Sequence, residues 1–181
     1  SSGVPGALAA TRRAAFRRVE LMSSLFQPGV RDKTLAALRE HGLQAPIVYN
    51  GGPMHEPASA TQTISETLEL ARTIHVAGAR IVNFNPNPKR GRERKSDAEL
   101  DRQAEAVNDL AKKLEASGSR LILHHHDPEM AENAREWRHL LKHTSAALCL
   151  DLHWIYRGGQ DPLALLREAA GRVASLHLRN S

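Results

Sequence analysis

Short apolar runs alternate along the chain with longer stretches whose apolar residues recur every three or four positions. The runs predict strands near Arg18–Met22, Pro46–Asn50, Arg80–Phe84, Arg120–His124, Ala147–Asp151 and Val173–His177. The stretches between them predict helices. Leu35 and Leu38 mark a short one before Gly42, and Ile64, Leu68 and Ala71 form the buried stripe of another that closes at Gly78. Leu100, Ala104, Val107, Ala111 and Leu114 make a third stripe, opened by a capping box of Ser96 and Glu99 and closed by Gly118. Asp127-Pro128 and Asp161-Pro162 each read as an N-cap followed by a first-turn proline. The first would open a helix buried through Met130, Trp137 and Leu141, the second one carrying Leu163, Leu166 and Ala170 to Gly171.

Strict alternation of strand and helix predicts a parallel sheet covered by helices. An open, doubly wound sheet suits six strands in 181 residues. A closed eight-stranded barrel takes roughly 250. Pattern alone slightly prefers the open sheet. Either way one domain over residues 1–181 is expected, with its site at the carboxyl ends of the strands.

Composition narrows the class. Hydrophobic residues make up 41% and aromatics 4%, so Leu, Ile, Val and Ala must fill the core. No apolar run is long enough to span a bilayer. The single cysteine, Cys149, excludes a disulfide framework and favours a reducing, cytoplasmic setting. The first residue is Ser1, with no leader pattern after it, and the last two follow an apolar run directly; both ends read as cut from a longer chain. A formal charge of +5 is modest and concentrates in Lys89 to Lys95 (KRGRERK), which reads as a solvated loop rather than a nucleic-acid surface. Ten histidines, three of them consecutive, are the first sign of chemistry.

Three successive strands end in metal-ligating residue types: His124, Asp151 and His177, spaced 27 and 26 residues apart, one strand–helix unit each. Neighbouring parallel strands lie roughly 4.8 Å apart, so three such side chains can converge on one ion. Period-two alternation puts Ile122, His124 and His126 on one face, as it does Cys149, Asp151 and His153, and Ser175, His177 and Arg179. His125 falls on the opposite face and is expected to pack against a helix. Glu129, in the first turn after Asp127, stands close enough to swing to the ion. Mixed nitrogen and carboxylate donors suit Mn²⁺, Zn²⁺, Co²⁺ or Fe²⁺ better than an all-oxygen Mg²⁺ cage. Zinc-finger spacings, glycine-rich phosphate loops and a G-x-S-x-G elbow do not occur.

The same residues resemble a known family. Ala15 to Leu21 (AFRRVEL) resembles the opening of the sugar phosphate isomerase/epimerases, in the xylose isomerase-like barrel superfamily. His124 to Glu129 (HHHDPE), Leu150 to Trp154 (LDLHW) with Gly158 to Pro162 (GGQDP), and Leu176 to Asn180 (LHLRN) resemble that family's later motifs in order and spacing. The resemblance implies a TIM-type barrel of which this chain supplies strands two to seven of eight. It implies a divalent metal, Mn²⁺, Zn²⁺, Co²⁺ or Mg²⁺, held by His124, Asp151 and His177, to which the position of Glu129 adds a further candidate ligand. A glutamate that the family carries near its eighth strand has no counterpart here. Many relatives have glutamate where His124 stands, and Arg179-Asn180 replaces Lys-Asp.

The expected activity is isomerisation or epimerisation of a sugar or polyol through proton abstraction beside a carbonyl. Glu129 and His126 are the candidate bases. Glu20, Asn83, Asn85, His126, His153, Trp154 and Arg179 are the candidates to line the substrate site. The alternatives are an inosose-dehydratase-like lyase, an endonuclease IV-like nuclease, and an inactive fragment. A nuclease of that kind needs ligands on nearly every strand, and the second and third offer only Glu20 and Asn50. The expected partner is a small sugar or polyol; membrane and nucleic acid are not expected, and homo-oligomerisation stays open.

Overall fold

The computed structural model describes residues 3–179. Six strands form one parallel sheet in chain order: β1 (Arg18–Met22), β2 (Gln44–Gly52), β3 (Ile81–Pro86), β4 (Arg120–Leu123), β5 (Ala147–Asp151) and β6 (Val173–His177). A doubly wound sheet reverses its strand order at a switch point. This one never does, so the sheet curls as a barrel wall that is open, among the described residues, between β1 and β6. The slight preference for a doubly wound sheet is thereby corrected. Strand order is a long-range property that hydrophobic periodicity does not encode.

Helices cover the outer face: α1 (Val4–Arg13), α2 (Arg31–Glu40), α3 (Pro57–Ile74), α4 (Asp97–Ala116), α5 (Ala131–His143), α6 (Leu152–Arg157) and α7 (Pro162–Glu168). Outward residues Val48, Val82, Phe84, Leu121, Leu123, Leu148 and Leu150 pack with Ile74, Val107, Leu110, Leu114 and Trp137 in a single core. The inner face differs. Asn83 and Ile122 are register partners lower on it, and Asn85, His124, Cys149 and Asp151 follow towards the carboxyl ends, all buried. Leu176 and Leu178, on β6 and just beyond it, stay exposed.

The capping box forms as expected: the Ser96 side chain accepts from the Glu99 N–H, and the Glu99 carboxylate accepts from the Ser96 N–H. Asp161 also caps as expected, accepting from the Leu163 N–H. Asp127 does not. Its carboxylate binds Arg92 at 3.1 Å, and only a single 3-10 turn follows it. The chain then passes through left-handed Glu132, Asn133 and Ala134 before α5 runs regularly, so this helix starts later than Asp127-Pro128 implies. Helices α1 and α6 lie outside the helical stretches that the sequence pattern predicts.

Candidate functional site

The sheet brings the candidate side chains together at its carboxyl end, although the β4–β5 register sets His124 two residues lower than Asp151. Asp151 and His177 are direct partners across β5 and β6. His124 lies one residue past β4, where its N–H still bonds the Phe84 carbonyl at 2.8 Å. His124 Nε2 and His177 Nδ1 are 3.1 Å apart. Asp151 Oδ2 is 3.7 Å from the first and 3.6 Å from the second. His177 Nε2 meets Glu20 Oε2, on β1, at 3.0 Å, and the other Glu20 oxygen accepts from the Asn83 amide at 2.8 Å. Five strands, β1 and β3 to β6, therefore contribute to one constellation.

Its electrostatics follow from burial and contact. The Asp151 carboxylate, the Cys149 thiol and Glu20 push the His177 imidazole up to about 12 against the effect of burial. With Nε2 turned to the Glu20 carboxylate, Nδ1 is the ring nitrogen that faces His124 Nε2 and Asp151 Oδ2. His124 stays neutral, since burial lowers its pKa. Burial by itself would raise Asp151, but contacts with His124 and His177, the Trp154 N–H and the charge of Arg179 hold it far below the ordinary carboxylate range. Arg179 donates to Asp151 Oδ2 at 2.9 Å and stacks over the Trp154 ring at 4.7 Å.

These groups sit at the base of an open cleft of about 750 Å³ lined also by Tyr49, His126, Trp154, Leu176 and Leu178. Helix α6 supplies one wall. Its first turn is pinned by Asp151 Oδ1, which accepts from the Trp154 N–H at 3.0 Å. Its last turn ends at Gly158 and Gly159. A Cβ on Gly158 would overlap the Met130 side chain, and Gly159 takes a φ of +78°. Both glycines are needed for α6 to turn beside the cleft.

The other candidates fall around this centre. His126 lines the cleft edge-on to Trp154, with ring centroids 5.3 Å apart. Burial and the neighbouring His124 lower its pKa to about 4, so it is neutral at pH 7. Glu129 is buried and not among the cleft-lining residues. One of its oxygens accepts from the His126 N–H at 2.6 Å and the other has no partner. Burial, helped by Glu136, pushes its pKa to about 7. Asn85 is buried with its amide unpaired by protein. His153 packs edge-on to Trp154 outside the cleft lining. Asn180 lies outside the described residues. The KRGRERK cations are largely engaged: Lys89 with Glu99 at 2.8 Å, Arg92 with Asp127, Arg94 with Glu132 at 2.9 Å, and Lys95 with Glu136 at 2.6 Å.

Two contributions escaped the sequence. His125 is buried, and its Nε2 accepts from the Asp151 N–H at 3.2 Å, continuing the β4–β5 contact where the ladder has stopped. Cys149 presents its thiol to the donor nitrogens of both His124 and His177, all within 4.8 Å. Its place on the Asp151 face was the available signal.

The donor atoms fit a divalent ion. A point about 2.0 Å from His124 Nε2, His177 Nδ1 and Asp151 Oδ2 exists at the centre of their triangle, the length of a zinc–nitrogen bond. The carboxylate pairing of His177 Nε2 is also the usual orientation device for a metal-bound imidazole.

The fold has many known counterparts. A sugar phosphate isomerase/epimerase from Parabacteroides distasonis superposes with a TM-score of 0.82 at 13% identity, over 99% of this chain and 74% of that one. The D-psicose 3-epimerase of Clostridium cellulolyticum gives 0.77 at 15%, over 98% and 68%. The probable 3-DHS dehydratase of Bacillus anthracis, involved in petrobactin synthesis, gives 0.77 at 14%, over 99% and 69%. An L-ribulose 3-epimerase is covered over 63% of its length. The chain thus spans about two thirds to three quarters of these proteins. No curated protein matches by sequence. No helix among the described residues is long and apolar enough to cross a membrane. The unreversed sheet agrees with the family model for xylose isomerase-like TIM barrels, which matches residues 8–181, and this chain belongs to that family.

Proposed function

We propose that this chain carries the metal-binding and part of the substrate-binding machinery of a sugar or polyol isomerase or epimerase that abstracts a proton beside a carbonyl. One observation carries the reading: three donors from consecutive parallel strands lie 3.1 to 3.7 Å apart beneath a cleft with an aromatic wall. His124, Asp151 and His177 would hold the ion. A divalent cation there supplies Lewis acidity to a carbonyl and its neighbouring hydroxyl.

The residues of the chain do the rest. Trp154 offers a flat apolar face to a sugar ring, and Arg179, stacked on it, sets an acceptor-seeking cation at the cleft mouth. Neutral His126 faces the cleft with a ring able to take the proton, which leaves an enediolate. Glu129 has the better-matched pKa for a base, but in its present rotamer it holds the His126 backbone. Returning the proton to the opposite face gives an epimer; returning it to the next carbon gives the isomer. Expulsion of a β-hydroxyl from the same enediolate would make a dehydratase, a reading favoured by the likeness to the Bacillus anthracis fold.

The test is solvent exchange. Ketoses and inososes incubated in D₂O with the protein and Mn²⁺, Zn²⁺ or Co²⁺ should take up deuterium beside the carbonyl, read by NMR. Absence of label in every substrate with every ion would remove this reading.

A further inference from the structure

The thiol of Cys149 has been given no part in holding an ion, yet it lies inside the donor cluster. We propose that Cys149 is a fourth protein ligand, so that the centre takes a thiophilic ion, Zn²⁺ or Co²⁺, in preference to Mn²⁺ or Mg²⁺. This rests on the metal reading just given and goes beyond it in naming the ligand and the ion.

The placement argues for it. Cys149 is fully buried, between Leu148 and Leu150 in sequence. Those two join the core against the helices, whereas Cys149 is buried outside that cluster, on the inner face shared with Asp151. A small apolar residue would fill such a position equally well if packing were its only task. Instead the sulfur stands within 4.8 Å of a donor nitrogen from each of His124 and His177. Zinc–sulfur bonds of about 2.3 Å and zinc–nitrogen bonds of about 2.0 Å need donor separations near 3.6 Å in a tetrahedron, so any contraction is on the order of 1 Å. A Cys149 rotamer change or a slight shift of β5 against β6 supplies it, and a register irregularity already lies between Leu148 and Cys149.

Ligand chemistry then sets the preference. Two imidazoles and one thiolate, joined by the Asp151 carboxylate that neighbours both rings, would make a four-coordinate set suited to Zn²⁺. Mn²⁺ and Mg²⁺ favour six mostly oxygen donors. Binding of the thiol releases its proton to solvent as the sulfur–metal bond forms.

Cobalt substitution tests this without reference to turnover. The Co²⁺-loaded protein should show a near-ultraviolet thiolate-to-cobalt charge-transfer absorption beside its visible ligand-field bands. Cys149→Ser should lose the first, keep the second, and reduce the preference for Zn²⁺ over Mn²⁺ at least tenfold. Since that variant could fold poorly, X-ray absorption on the zinc-loaded wild type gives an independent readout, a sulfur shell at about 2.3 Å. Ligand-field bands without charge transfer, or a zinc shell of nitrogen and oxygen alone, would overturn the cysteine ligand while leaving the metal centre intact. No cobalt spectrum of any kind would overturn both.

Discussion

His177 and Glu20 are hydrogen-bonded at 3.0 Å although they stand on β6 and β1, the two outermost strands of the sheet. The carboxylate fixes the ring so that Nε2 carries a proton and Nδ1 faces His124 and Asp151. Removing an outer carboxylate of this kind typically costs 10–100-fold in metal affinity. Glu20→Gln should therefore weaken Zn²⁺ or Co²⁺ binding by about that factor in a chelator competition, with far-UV circular dichroism unchanged. Equal affinities would show that Glu20 does not act through His177.

Asp151→Asn removes the anionic donor, leaving a weak amide oxygen, and His177→Ala removes the imidazole. Each should abolish stoichiometric metal in protein purified with Zn²⁺ and assayed by mass spectrometry, while the protein stays folded. The second variant also frees Glu20, which keeps its bond to Asn83. Full metal content in both variants would rule out the site.

Glu129 makes stability depend on pH. Its folded pKa is raised from 4.5 to about 7, by burial and then by Glu136. Between those values the folded chain retains a proton that the unfolded chain has released. More protons bound in the folded state means that stability falls as pH rises through this window, by up to about 1.4 kcal/mol per pH unit. Urea unfolding at pH 5 and pH 7.5 should show this loss in the wild type and a smaller one in Glu129→Gln. Identical pH slopes would place the Glu129 pKa back near its ordinary value.

Lys95 ties the loop after β3 to α4 and α5. Its buried ammonium donates to the Asn87 carbonyl at 2.9 Å and to Gln103 and Glu136 at 2.6 Å each. Lys95→Ala would leave Glu136 without its cation, at a cost of about 3–5 kcal/mol. A drop in Tm on the order of 10 °C is expected by calorimetry. Pairing the change with Glu136→Leu should restore most of it, because the stranded charge is then gone.

What was legible in the sequence was what local chemistry or a fixed period encodes. Ser96 and Glu99 cap a helix through bonds three residues apart, and they could be read directly. The convergence of His124, Asp151 and His177 was legible because each stands at or just past the carboxyl end of one of three successive strands. Asp127 misled because its partner, Arg92, lies 35 residues away and outcompetes the local cap. His125 and Cys149 gained their contacts only once β4, β5 and β6 were adjacent. Strand order, which separates barrel from open sheet, has no local signature at all.

Because all six strands run the same way, the chemistry gathers on one rim and the turns that lead into the strands gather on the other. A five-residue strand is roughly 17 Å long, so the far rim is a place to attach probes. The sole cysteine is buried, so Ser117→Cys, in the exposed turn after α4, would give one reactive thiol to a maleimide dye. Such a fluorophore could report unfolding, or tether the molecule to a surface, while the opposite mouth stayed open to small solutes.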